Sequence, residues 1–109
     1  MKIKAEEKKV WQALKQVIDP ELGVNIVDLG LVYDVQCKTQ NSKLKSIVIE
    51  MTLTTPGCPL GGWFMKQVRE IVAMAVEVDE EQVRVRMVWE PPWVQEMMSE
   101  EVRAQLGID

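Results

Sequence analysis

The chain has 109 residues, of which 47% are hydrophobic and 28% charged, so we expect one soluble domain spanning residues 1–109. Its formal net charge of −4 leaves no basic surface for nucleic acid or an anionic membrane, which excludes both as partners. The sequence contains no histidine, which excludes a Ser-His or Cys-His couple and a mixed Cys/His zinc site within the chain.

The cysteine content and the apolar runs predict a cytoplasmic protein. No apolar run approaches the roughly 20 residues that cross a bilayer, and residues 1–9 alternate charge too densely for a signal peptide. Cys37 and Cys58 are too few for a disulfide framework, and a reducing cytosol would keep both as thiols.

The first predicted elements are a helix and a β-hairpin. Helical apolar spacing covers residues 4–18, and Pro20 ends the helix by disfavouring helical backbone at Asp19. From Leu29 the apolar period drops to two, and a second alternating run follows a polar turn at Asn41 and Ser42. The inward faces are expected to be Leu29, Leu31, Tyr33, Val35 and Cys37 on the first strand and Ile47, Ile49, Met51 and Leu53 on the second.

A second helix, a third strand and a short helix follow. Helical spacing covers residues 60–76, and strand spacing covers residues 83–87 until Pro91-Pro92 stops the strand near Trp89. Ser99 is an N-cap type for the last helix, which Gly107 ends. The inward stripe of the second helix is expected to be Leu60, Phe64, Val68, Ile71, Val72 and Ala75. The order predicts a two-layer α+β fold, with a small mostly antiparallel or mixed three-stranded sheet and helices on one face.

Cys58 is the residue most suited to chemistry, because it stands where the second strand gives way to the second helix. Pro59 suits the first position of a helix, which makes Cys58 the predicted N-cap. The helix dipole and free amides at that position favour a thiolate. The alternative is a small buried hydrophobe, but the neighbouring proline and glycine indicate an open backbone and a reactive thiol.

Further candidate ligands precede Cys58 in the chain. Thr52 and Thr54 point to the same side of the predicted strand, where their hydroxyls would form hydrogen bonds with an anion or a thiolate. The alternative is that both are ordinary β-branched strand residues with solvent-facing hydroxyls. The carboxylates of Asp19, Glu21 and Asp28 are hard oxygen donors that would assist a ferrous ion held by a thiolate. Alternatively, Asp19 shapes a turn and Glu21 is solvated.

Two further features concern packing and partners. Cys37 lies on the predicted inward face of the first strand and is expected to be structural. Residues 89–93, which we call the strap, form a stiff aromatic segment that either packs both indoles onto the sheet or presents a partner surface. The partner residues would then be Trp89, Pro91, Pro92 and Trp93.

Three ordered motifs extend over nearly the whole chain. They are Asp19-Pro20-Glu21-Leu22-Gly23 with the run from Asn25 to Tyr33, the run from Met51 to Leu60, and Val88-Trp89-Glu90-Pro91-Pro92-Trp93 with Met98-Ser99-Glu100-Glu101. Together they resemble the small iron-sulfur cluster assembly domain family that includes SufT and the PaaD-like maturation proteins. The resemblance implies maturation or targeting of iron-sulfur proteins, with Cys58 as the functional residue and Asp19, Pro20 and Glu21 as a matching motif.

Departures from particular branches of that family narrow the expectation. One branch adds a cysteine-rich tail and another is fused to a P-loop ATPase, and the sequence shows neither feature. We therefore expect a free-standing, general assembly factor and not an enzyme. Its partners would be an assembly scaffold or client apoproteins, and a homodimer is also allowed.

Three mechanisms remain open on the sequence. One thiolate cannot hold a cluster that usually takes four protein ligands, so Cys58 would share a transient cluster or iron with a partner or second subunit. The second is a metal-free adaptor that docks clients through the residues from Trp89 to Trp93. The third, a thiol enzyme with a covalent intermediate on Cys58, lacks any general base other than carboxylates.

Overall fold

The structure, a computed structural model, describes residues 5–41, 43–54 and 61–107. Segment 55–60, which contains Cys58, lies outside the described residues, as do residues 1–4. Within the described ranges the elements are α1 (Ala5–Leu14), β1 (Ile18–Asp19), β2 (Val24–Asn25), β3 (Val32–Gln40), β4 (Lys43–Met51), α2 (Gly61–Ala75), β5 (Val83–Met87) and α3 (Glu100–Gln105). Single 3₁₀ turns occupy Glu80–Gln82 and Gln95–Met97.

The main sheet has the order β3-β4-β5 and is mixed, which confirms the predicted α+β class. β3 and β4 form the predicted antiparallel hairpin, whereas β5 lies parallel to β4. The carboxyl ends of β4 and β5, at Met51 and Met87, therefore lie side by side, and Val32 at the start of β3 pairs with Met51. We call this side of the sheet the carboxyl edge.

The core lies between the sheet and helices α1 and α2. The predicted inward residues Ile47, Ile49, Met51 and Leu53 are buried, as are Val83 and Val85 of β5 and Phe64, Val68 and Val72 of α2. Each such side chain stabilises the fold by about 1.5–3 kcal/mol through removal of apolar surface from water. Ala75, predicted on this stripe, is exposed, and Ala73 is buried in its place.

The first helix is shorter than predicted. α1 ends at Leu14, and the next residues form tighter turns in which Gln16 N donates to Ala13 O and Val17 N donates to Leu14 O. Ile18 and Asp19 then pair with Asn25 and Val24 in a two-stranded ribbon that apolar spacing did not reveal. Val17 is 2% exposed and belongs to the core, whereas Ile18 is 44% exposed because it belongs to this ribbon.

The start of the first hairpin strand was also predicted wrongly. β3 begins at Val32, and its register shifts between Val32 and Asp34. The three residues 32–34 therefore lie opposite only the two residues 50–51 of β4. Leu29 and Leu31 are buried in the preceding turn, while Tyr33 is only partly buried and Val32 takes the inward role. The strict alternation expected from Leu29 therefore holds only from Val35 onward.

Candidate functional site

The described residues on either side of segment 55–60 lie close together. Thr54 is exposed, and Gly61 is the first described residue of α2. A Cβ built on Gly61 would lie 3.5 Å from Leu53 Cδ1, so the chain leaves β4 and enters α2 at nearly the same place. This place is the carboxyl edge, because Leu53 follows Met51 by two residues. The N-cap role of Cys58 stays a prediction, since it lies outside the described residues.

Thr52 is a buried polar residue at this edge. Its side chain is 0% exposed, and its Oγ1 has no hydrogen-bond partner among the described residues. The backbone around it is well held, since Thr52 N donates to Leu31 O at 2.8 Å and Val88 N donates to Met51 O at 2.8 Å. Thr54, the second threonine of the predicted pair, is exposed.

Thr52→Val is expected to stabilise the protein. An unpaired buried hydroxyl costs about 1–3 kcal/mol, and valine fills the same shape without a polar atom. A gain of about 1 kcal/mol corresponds to a melting temperature about 4–8 °C higher in a domain of this size. Differential scanning calorimetry measures the shift, with the exposed Thr54→Val as matched control. A lower melting temperature in Thr52→Val would contradict the unpaired state of the hydroxyl.

The carboxylate of Asp19 is engaged in a turn. Asp19 Oδ1 accepts hydrogen bonds from Glu21 N at 2.8 Å and from Leu22 N at 3.2 Å, and Asp19 is only 7% exposed. Asp19 O also accepts from Gly23 N at 2.7 Å. Glu21 is exposed. These contacts agree with the interpretation that Asp19 shapes a turn. Glu21 lies close to Asp19 in this turn, at the surface.

The carboxylate of Asp28 is held by a reciprocal pair of bonds with Asn25. Asn25 Nδ2 donates to Asp28 Oδ2 at 2.8 Å, and Asp28 N donates to Asn25 Oδ1 at 2.9 Å. Asp28 O accepts from Ser99 N at 2.8 Å, which ties this turn to the start of α3. Within the described ranges, no three Asp, Glu or Cys residues are grouped closely enough to hold a metal ion. Iron bound to these carboxylates would therefore need ligands from elsewhere.

The two tryptophans of the strap have different environments. Trp93 is partly buried, and its Nε1 donates to Leu29 O at 2.7 Å. Trp89 is 42% exposed. Pro91 and Pro92 are exposed, and Pro91 O accepts a hydrogen bond from Tyr33 Oη at 2.7 Å. One indole therefore anchors the strap, and the other remains available at the surface.

Gly30 allows the segment that follows the strap to approach the turn before β3. Its φ is +80°, and a Cβ at this position would collide with the carbonyl oxygen of Met97 and lie 2.8 Å from Met97 Cβ. Tyr33 Oη also lies 3.7 Å from Met97 Sδ. Sequence reasoning missed Gly30, Tyr33 and Met97 as a group, although a glycine within an apolar alternating run is a sign of close backbone approach.

The pKa of the Tyr33 phenol differs from its ordinary value. Its pKa is raised above the ordinary value, first by desolvation and second by the negative charge of Glu90. Both effects favour the neutral phenol that donates to Pro91 O. The strap is therefore held best when Tyr33 is protonated.

We expect ionisation of Tyr33 to weaken the strap at high pH. Because its folded pKa is raised, its contribution to stability is complete below about pH 10 and is lost as pH rises through the folded value. Tyr33 is the single tyrosine of the sequence, so phenolate absorbance reports it directly. The midpoint should exceed that of a blocked tyrosine peptide, and Glu90→Gln should lower it in part. A midpoint equal to that of the free peptide would contradict the shift.

These observations define a class of protein: a small α+β protein with a mixed three-stranded sheet, whose strand-to-helix connection carries a single cysteine in the sequence. Within the described ranges no helix is long and apolar enough to span a bilayer. A family model described as "Iron-sulfur cluster assembly protein" matches residues 7–85, and the chain belongs to this family.

Individual relatives match over nearly their whole length. The chain is 42% identical over 104 residues to the "Fe-S protein maturation auxiliary factor YitW" of Bacillus subtilis, covering 95% of this chain and 96% of that protein. It is 41% identical over 92 residues to the "Fe-S protein maturation auxiliary factor SufT" of Staphylococcus aureus, covering 84% and 98%. A crystal structure of a DUF59 domain from Bacillus anthracis superposes with a TM-score of 0.84 at 43% identity, covering 96% of this chain and 94% of that one.

Proposed function

We propose that this chain is an auxiliary factor in the maturation of iron-sulfur proteins, and that it carries or targets clusters to client apoproteins. The observation that supports this most is the match to the relatives named as maturation auxiliary factors, which covers most of both chains. Those names refer to maturation and not to an enzyme activity, and we propose no catalytic step. They also favour a function connected with clusters over the metal-free adaptor.

Cys58 is the proposed functional thiol. The sequence places it between two segments that approach each other at the carboxyl edge, where Leu53 and Gly61 are neighbours. The unpaired hydroxyl of Thr52 supports a role for this edge in binding an anionic group, because a buried donor without a partner is retained at a cost. Thr54, exposed at the same edge, is a second proposed donor.

A cluster would be cargo, held by this protein only in part. One thiolate supplies one of the four ligands that such a cluster usually takes, so a partner or a second subunit would supply the rest. Asp28 is already bonded to Asn25, and Asp19 to backbone amides. We therefore propose that these carboxylates shape the site and that Glu21, which is exposed, is the carboxylate free to approach iron.

The compartment and partners follow from the same proposal. A reactive thiol that handles iron and sulfide requires a reducing environment, so the cytoplasm is the proposed location. The proposed partners are an assembly scaffold and client apoproteins. Homodimerisation would double the number of thiols in one assembly.

Anaerobic reconstitution with iron and sulfide tests the proposal. Native protein and a Cys37→Ala variant should develop visible cluster absorption and activate a cluster-dependent apoenzyme, whereas Cys58→Ala should behave like the protein-free control. Cys37 is buried in the core, so the melting temperature of Cys37→Ala is measured alongside. Equal absorption and equal activation by the native protein and Cys58→Ala would refute a direct cluster contact by this thiol.

A titration of thiol reactivity tests the chemical basis. In the Cys37→Ala background the rate of alkylation should follow a pKa below the free value of about 8.5, because a helix N-terminus favours the thiolate. A value at or above that of free cysteine would remove the physical reason for choosing Cys58.

A further inference from the structure

We infer that the groove between the turn before β3 and the strap is a docking site for a cationic, apolar segment of a partner protein. The groove is lined by Gly30, Val32, Tyr33, Pro91 and Met97 and has a volume of about 480 Å³. This inference deepens the proposed function, on which it rests for the nature of the partner: a client or scaffold chain that presents such a segment.

The walls of the groove are held in place by hydrogen bonds and close packing. Trp93 Nε1 fixes the strap to Leu29 O at 2.7 Å, and Tyr33 Oη fixes it to Pro91 O at 2.7 Å. On the other side, Met97 packs directly over Gly30, where no side chain would fit. A preformed groove loses little conformational entropy on binding, which favours recognition of a short segment.

Apolar side chains are also exposed in the stretch of chain that contains Pro91 and Met97. Trp89 is 42% exposed and Val94 is 45% exposed, and both lie within a few residues of Pro91 in the sequence. Tyr33 and Pro91 present further apolar atoms in the groove itself. A partner side chain such as leucine would gain about 25 cal/mol for each Å² of this surface that it covers.

The two stretches of sequence that contain the groove residues carry charges of one sign. No lysine or arginine occurs between Lys15 and Lys38 or between Arg86 and Arg103, although the chain has 13 such residues. All five lining residues fall within these two stretches, whose charged residues are Asp19, Glu21, Asp28, Asp34, Glu90, Glu96, Glu100 and Glu101. Glu90 is close enough to Tyr33 to raise its pKa.

The matching partner is therefore basic as well as apolar. Arginine suits this surface better than lysine, because its guanidinium pairs with carboxylates and also stacks on the exposed faces of tyrosine and tryptophan. Arg86, just before this stretch, is already paired with Glu50 at 3.2 Å. A peptide with leucine between arginines places an apolar side chain in the groove and its charges near the carboxylates of these two stretches.

The test uses the blocked pentapeptide Ala-Arg-Leu-Arg-Ala and nuclear magnetic resonance of the labelled native protein. The four tryptophans each give an indole N–H signal. Saturable shifts should affect Trp89 and the amides of Gly30, Tyr33 and Met97, with Trp11 and Trp63 unaffected. For so short a probe the dissociation constant should be on the order of 1 mM. The corresponding Ala-Glu-Leu-Glu-Ala peptide should bind about tenfold more weakly, through lost ion pairs.

Matched variants separate this surface from the proposed cluster site. Trp89→Ala should abolish peptide binding and leave the reactivity of Cys58 unchanged, whereas Cys58→Ala should retain full peptide binding. Trp63→Ala is the control, because Trp63 is exposed to nearly the same extent, 40%. Loss of cluster transfer together with intact peptide binding in Cys58→Ala would support both proposals. If the native protein binds the peptide but transfers no cluster, the docking site is supported and the proposed function is refuted.

A charge exchange completes the test. Glu90→Lys with Glu96→Lys should weaken the arginine peptide about tenfold and strengthen the glutamate peptide by a similar factor. The inference is overturned if neither peptide gives saturable shifts, if both bind the native protein equally, or if the shifts centre on Trp63. It is also overturned if the same signals shift with protein concentration alone, since a second copy would then be the occupant.

Discussion

Gly30→Ala is expected to lower the free energy of unfolding by about 2–5 kcal/mol, the largest loss expected from a single added methyl group. Two costs combine at this position. An alanine is strained at φ +80°, and its Cβ would meet the backbone carbonyl and the Cβ of Met97. Backbone atoms cannot move aside as a flexible side chain can, so the segment around Met97 must shift.

Two other glycines separate these costs. Gly23 has φ +69° but nothing within 4 Å of its built Cβ, so Gly23→Ala should show only the backbone cost of about 1–2 kcal/mol. Gly62 lies in α2 in open space, so Gly62→Ala should stabilise by up to about 1 kcal/mol. Urea denaturation with comparable slopes measures all three. Equal losses for Gly30→Ala and Gly23→Ala would show that Met97 imposes no steric constraint.

Phe64→Ala is expected to lower the free energy of unfolding by about 3–5 kcal/mol, a large fraction of the 5–15 kcal/mol typical of a domain. Among the fully buried side chains that the structure describes, Phe64 is the largest, at 2% exposed, and it lies in the first turn of α2. Its removal leaves a cavity beneath the helix that follows the Cys58 segment. Phe64→Leu keeps most of the buried volume and should lose less.

Trp63→Ala is the matched comparison for Phe64. The two rings pack edge to face with centroids 4.9 Å apart, but Trp63 is 40% exposed. Its truncation removes the aromatic pair, worth about 0.5–1.5 kcal/mol, and only part of the buried area. Calorimetry of both variants checks the order. A larger loss in Trp63→Ala than in Phe64→Ala would mean that the exposed ring, and not the core ring, anchors α2.

Local chemistry made much of the fold predictable. The alternation of Ile47, Ile49 and Met51 indicated a half-buried strand, and a one-residue slip would have turned all three to the other face. Both ends of α3 were predicted from single residues. Ser99 Oγ accepts a hydrogen bond from Val102 N, as expected of an N-cap serine, and Gly107 ends the helix at φ +74°.

Other features depend on partners distant in sequence. Apolar spacing predicted that the first helix extends to Ile18. In the structure Ile18 instead pairs with Asn25 in a two-stranded ribbon. Likewise, strict alternation from Leu29 predicts that Tyr33 points into the core. The shifted register near Val32 instead turns it toward the strap, where Pro91 O accepts its hydrogen bond. Spacing along the chain contains no information about which distant carbonyl will compete for a donor.

The candidate site divides in the same way. Three features of the site could be found from the order of residues alone: the position of Cys58 between a strand and a helix, the acidic motif that begins at Asp19, and the aromatic strap. The family that these features resemble could be found in the same way. Only the tertiary structure separated Trp93 as an anchor from Trp89 as a surface, and only it assembled Gly30, Tyr33 and Met97 into a groove. The reason is physical: propensity and periodicity act between near neighbours, whereas burial and groove walls arise when residues more than sixty positions apart, such as Tyr33 and Met97, compete for the same space.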